Sequence, residues 1–147
     1  MDVPEEHANS VRHMTVRDPY ERLSSIYRYL RRRDAGWGVN EAKSLTFGTW
    51  ITYFLALRKT FSPESYNAMA PSIWLATQAE CWAVYRGQWF WKLEELQGFL
   101  TVLNIDVPLE KVNATPGVVE FPVELLDQVW DEWAGMDCVR FGYKRRT

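Results

Sequence analysis

The chain has 147 residues, 47% hydrophobic and 24% charged, which is the composition of a globular protein and excludes wholesale disorder. At this length folding buries roughly 70% of the unfolded chain's surface, so a core can form without disulfide staples. A formal net charge of −2 excludes a molecule that draws nucleic acid or anionic lipid to its whole surface, so any such binding has to come from a local patch.

Residues 1–17 carry no helical or strand periodicity and are expected to form a flexible N-terminal arm, followed by a single helical domain over 18–147. The opening MDVPEEHANS is acidic and polar, the reverse of a signal peptide's basic and then apolar order, which predicts a cytoplasmic protein. His7 and His13 lie in this arm without HExxH or paired-cysteine spacing, so they read as solvated side chains and no metal site is expected.

Regular structure is expected to start at Asp18, a capping residue followed by Pro19 in the first turn and Glu21 three positions on. Leu23, Ile26, Tyr27 and Leu30 then recur at helical spacing and predict an amphipathic helix over 19–33. Its other side carries Arg28, Arg31 and Arg32, with Arg33 at the end, and Tyr29 and Trp37 stand beside that cluster. Arginines interleaved with rings suit single-stranded RNA or DNA, because guanidinium groups hold phosphates while rings stack bases. The competing reading is a solvated face whose positive charge meets the helix dipole.

Residues 34–40, DAGWGVN, read as a loop, with Asn40 as cap of a second helix carrying Phe47, Trp50, Ile51, Phe54, Leu57 and Phe61. SPES at 62–65 restarts a short helix that Pro71 interrupts. Residues 72–86 are apolar in nearly every direction, which predicts a central helix, ended by a left-handed Gly87. Glu80 shares the strip of Ile73, Ala76 and Val84, so its carboxylate needs a partner. The next segment, 88–103, reads as a helix with Trp89, Leu93, Leu96, Leu100 and Leu103 in the core, which leaves Phe90 and Trp91 in need of a second surface. Beyond Pro108, EKVNATPG reads as a loop, VVEF and CVRFGYK as two short strands, and Pro122 opens a helix with Leu126, Val129, Trp130 and Trp133 that Gly135 stops.

The expected fold is therefore mainly α: four to six helices bundled around the 72–86 helix, with a small two-stranded β element near the C-terminus. No catalytic or cofactor signature is present. Cys81 sits among apolar neighbours, Cys138 has no histidine nearby in sequence, and the two lack CxxC spacing. No run is long enough for the roughly 20 apolar residues of a membrane span.

With eight tryptophans, the chain has more bulky ring surface than a compact interior readily hides. Trp and Arg dominate the energetics of protein interfaces. The expected function is thus non-catalytic protein binding, of adaptor, inhibitor or viral or phage accessory type, through Trp37, Phe90, Trp91, Arg32 and Arg33, with a homo-oligomer as one form. The alternative is nucleic-acid binding through Arg28, Arg31, Arg32 and Arg33, joined by Lys144, Arg145 and Arg146 of the C-terminal tail.

Overall fold

The computed structural model describes residues 10–62, 72–107 and 119–147, and of Ser72 and Ile73 the backbone alone. All but Ser62 of the expected helix at 62–65, the loop from Glu110 to Gly117 and His7 lie outside the described residues.

The chain is mainly helical, as its periodicity predicts. Helix α1 spans Pro19–Arg32, and the Asp18 carboxylate accepts the backbone N–H groups of Tyr20 and Glu21 at 2.8 and 3.0 Å. Its apolar face, Tyr20, Leu23, Ile26, Tyr27 and Leu30, is buried. Helix α2, Val39–Ser44, is entered through Gly38 in the left-handed region at φ 72°, not capped by Asn40. Helix α3, Phe47–Arg58, is separate from α2, with Thr46 as its cap. The main core lies between α1, α3 and the C-terminal helices, where Trp50, Ile51, Phe54, Val129 and Trp133 meet.

The continuous central helix expected over 72–86 is broken into α4, Ser72–Leu75, and α5, Gln78–Tyr85. Thr77 and Glu80 form a capping box at the break: the Thr77 hydroxyl accepts from Glu80 N at 3.1 Å, and the Glu80 carboxylate accepts from Thr77 N at 2.7 Å. Ala83 and Val84 of α5 are exposed, so this segment packs on the core without being its centre. The left-handed residue after α5 is Arg86 at φ 50°. Gly87 serves another purpose, since a Cβ there would stand 2.6 Å from the Trp82 ring.

The β element is placed differently from expectation. Strand β1, His13–Val16, pairs in parallel with β2, Trp89–Lys92, in the register His13 with Trp89 and Val16 with Lys92. Part of the expected flexible arm is thereby a strand, and Val16 is 1% exposed. The 88–103 segment is β2, a 3₁₀ turn over Leu93–Glu95, and helix α6, Leu96–Val102, in place of one helix.

Among the described residues neither expected C-terminal strand is present. Residues 119–121 are not a strand, and CVRFGYK lies within and after helix α8. From Pro122 the chain runs through a 3₁₀ turn (Val123–Leu125), α7 (Leu126–Val129), a π-turn (Trp130–Ala134) and α8 (Gly135–Phe141). Gly135 does not stop this run: without a Cβ it tolerates the Trp130 carbonyl, which would lie 2.7 Å from one. The stop is Gly142, left-handed at φ 69°.

Candidate functional site

The two-stranded sheet decides where the three adjacent rings go, because successive residues of a strand face opposite ways. Phe90 turns inward with its register partner Met14, meeting Trp82 and Phe141 edge-on at 5.9 and 5.0 Å between centroids. Trp89 and Trp91 share the other face with His13 and Thr15. Helix α6 covers half of that face: Phe99 stacks on Trp91 at 4.6 Å, and the Trp91 indole N–H donates to His13 Nδ1 at 3.4 Å. Trp89 is left 62% exposed and Phe90 38% exposed.

The covering helix is itself uncovered. No residue of the Leu93–Glu95 turn or of α6 is buried, although the segment contains four leucines or other aliphatics besides Phe99. Leu93, Val102, Leu103, Ile105 and Val107 are exposed, Val102 by 69%. A helix this apolar is ordinarily held by packing, and here every one of its residues is at least partly exposed. Glu94, Glu95 and Asp106 rim the surface with exposed carboxylates, and Tyr143 Oη donates to Glu94 at 3.1 Å.

A second surface lies at the C-terminal end of α1, and it contains the other ring expected to bind, Trp37. Trp37 is half-buried and lines a cavity of about 180 Å³ together with Tyr29, Arg33 and Trp74. Arg33 Nη1 donates to Tyr29 Oη at 2.5 Å and its guanidinium lies over that ring. Arg31 donates to Tyr27 Oη at 2.7 Å, and Arg28 Nε to the Ser24 carbonyl at 3.3 Å. Arg32 is exposed.

The C-terminal tail does not join this cluster. Arg145 pairs with Asp127 at 2.5 Å and lies over Trp130, while Arg146 reaches Glu21 at 2.7 Å and Asp18 at 3.6 Å. Asp18 and Glu21 mark the start of α1 and Arg32 its end, a separation of about 16–21 Å at 1.5 Å per residue. Lys144 is exposed, and its carbonyl accepts from the Cys138 thiol at 3.8 Å.

Glu80 and the two cysteines are paired or buried. Glu80 forms an ion pair with Arg58 in addition to its capping role, and both side chains are nearly buried. Cys138 is buried, and burial pushes its thiol up to about 11, with the Asp18 and Asp137 charges adding to the shift. Cys81 is buried too. An open depression of about 540 Å³ beside the π-turn is lined by Trp130, Met136, Val139 and Arg140, with Asp131 as the one carboxylate among the described lining residues. Among the described residues no three of His, Cys, Asp and Glu gather as a metal site, and no helix is long and apolar enough to cross a membrane.

No protein-family model, curated protein or solved structure matches this chain.

The sequence missed Trp89, Val102 and Leu103, because a helical reading of 88–103 put Trp89 and Leu103 in the core. The alternation of Trp89 and Trp91 against Phe90 and Lys92 was the signal for a strand, but four residues of it fit both patterns.

Proposed function

We propose that the protein is a non-catalytic protein-interaction module whose binding surface is the outer face of β2 and α6. The reading is carried by one observation: an apolar helix with no buried residue stands beside a tryptophan that is 62% exposed. Contiguous exposed apolar surface of this kind marks association sites in soluble proteins. The rim of Glu94, Glu95 and Asp106 gives the partner's chemistry, an apolar segment flanked by lysine or arginine. The same carboxylates repel a phosphate backbone and disfavour a second copy of this face.

The test is a pair of variants, Val102→Asp and Trp89→Ser, compared with the parent in size exclusion coupled to light scattering and in partner capture. A partner of basic and apolar character, held by the parent and released by both variants, supports the reading. Capture that is identical for all three proteins ends it.

A second reading, single-stranded nucleic-acid binding through Arg28, Arg31, Arg32 and Arg33, is favoured by a separate observation. Arg31, Arg32 and Arg33 have no carboxylate partner among the described residues, in contrast to Arg58, Arg145 and Arg146. Lys144, Arg145 and Arg146 do not belong to it, because the tail is folded against the opposite end of α1. Retention on single-stranded DNA that falls steeply with salt, and that Arg32→Ala with Arg33→Ala abolishes, is the expected result.

A further inference from the structure

We propose that the cavity between Tyr29, Trp37 and Trp74 is a base-binding subsite: it takes one unpaired nucleobase of a single strand whose phosphate lies against the exposed Arg32. The proposal rests on the second reading above and assigns it a site.

The sequence already sets the arginines beside Tyr29 and Trp37, and folding adds a ring from far along the chain. Tyr29 and Trp74 stand 5.5 Å apart at 45°, and Leu30 and Val39 form the apolar floor. Gly36, at φ 130°, gives the loop a turn that returns Trp37 to the cavity, a backbone geometry open to glycine and costly for other residues. The volume, about 180 Å³, is below the roughly 300 Å³ at which sites for drug-sized ligands begin, so it suits a single ring system and not a whole nucleotide.

Charge favours a base carried on a phosphate chain. Arg32, the last residue of α1, is exposed and lies close to one turn beyond Tyr29, with Arg33 following it as the cap. The exposed Arg32 side chain therefore adjoins the rings at the cavity mouth. Asp34 is the acidic residue adjoining it in sequence and is exposed. A cation is disfavoured in the cavity because the Arg33 guanidinium already lies 5.5 Å from the Tyr29 centroid. Stacking platforms of this composition bind bases with little regard to sequence.

The experiment is fluorescence anisotropy with a labelled oligothymidylate and an abasic strand of equal length and charge, read at low and high salt. The parent is expected to bind the thymidylate strand at least about tenfold more tightly than the abasic one. Tyr29→Leu and Trp37→Leu should each remove most of that difference, whereas Arg32→Ala should weaken both strands alike. Tyr29 is an exposed residue, so its variant keeps the test sound if Trp37→Leu fails to fold. Equal binding of the two strands overturns the base subsite and leaves phosphate binding by the arginines standing. No binding of either strand overturns the nucleic-acid reading, and the subsite with it. Preference for a phosphotyrosine peptide over both strands also overturns the proposal.

Discussion

Asp137 of α8 caps α5 from outside that helix: its carboxylate accepts from Gln78 N at 3.0 Å and from Ala79 N at 2.7 Å. The Gln78 side chain extends the junction, donating to Asp137 at 3.1 Å and to the Arg17 carbonyl at 2.8 Å, and accepting from Arg17 N at 2.9 Å. One fully buried acid thus joins the C-terminal helix, α5 and the turn between β1 and α1. Asp137→Asn leaves one oxygen for three donors and should cost about 1–3 kcal/mol in urea denaturation.

The same residue predicts a pH dependence. Burial raises the Asp137 pKa, and the bonds from Ala79 and Gln78 with the Arg22 charge offset this only in part. The folded protein therefore binds this proton more tightly than the unfolded chain does. Its contribution to stability is greatest below the ordinary Asp value, about 3.9, and falls as pH rises from there through the raised folded value. The stability difference between the parent and Asp137→Asn should shrink as pH rises through that range. A difference that grows would mean that the acid is ionised more readily folded than unfolded.

Glu80 holds two jobs that substitution can separate. Glu80→Gln keeps an oxygen for Thr77 N but loses the ion pair to Arg58, whereas Glu80→Ala loses both. A capping interaction is worth about 1 kcal/mol, and an uncompensated buried charge costs about 3–5 kcal/mol. Both variants should be clearly destabilised, Glu80→Ala the more so by about the cap. Thermal melts of the pair, together with Arg58→Met with Glu80→Leu, separate the desolvation cost from the cap, since the double apolar variant should recover much of the loss.

Legibility differs from element to element for physical reasons. Helix α1 was readable because cap, proline and apolar stripe all act locally. The break between α4 and α5 was also written in the chain as Thr77-Gln-Ala-Glu80, a capping-box spacing, but the surrounding apolar run drew attention to burial instead. The sheet was hidden by distance: more than seventy residues separate β1 from β2, and a parallel pair has no turn between its strands to announce it. Of the α1 surface, Tyr29, Trp37 and the arginines were legible as neighbours in sequence, whereas nothing local could attach Trp74 to them. The tail arginines looked equivalent to the others, and only their partners Asp127, Asp18 and Glu21 distinguish them.

That distinction is measurable. Arg145→Ala with Arg146→Ala removes solvent-screened surface pairs, so it should lower stability only slightly. It should leave any retention on single-stranded DNA unchanged, where Arg32→Ala with Arg33→Ala reduces it. Equal loss from both double variants would show that the tail leaves its carboxylates to meet phosphate.

The thiols give a test of the packing itself. Burial pushes Cys138 up to about 11, and Cys81 is closed in beside Trp82. A disulfide reagent such as dithionitrobenzoate at pH 8 should react with neither thiol in the folded protein and with both after denaturation. Fast modification of one thiol in the native state would place it in an opened region.

Trp89 and Trp133 form the sharpest contrast the chain offers, two rings of one kind in opposite settings. Trp133 is 2% exposed, its indole N–H donates to the Leu75 carbonyl at 3.1 Å, and Phe54 meets it edge-on at 5.7 Å. Trp133→Ala opens a cavity and strands that carbonyl, so it should cost about 3–5 kcal/mol, a large part of a small domain's stability. Trp89, 62% exposed, has little burial to lose, and Trp89→Ala should change stability by no more than about 0.5 kcal/mol. If the ring is retained for association, the same variant should weaken partner binding by tenfold or more, the scale of an interface hot spot. Urea unfolding and binding measured on the two variants therefore read different quantities. A Trp89→Ala protein that is strongly destabilised would mean that the ring is covered within the chain, and the outer face of β2 would no longer be a binding surface.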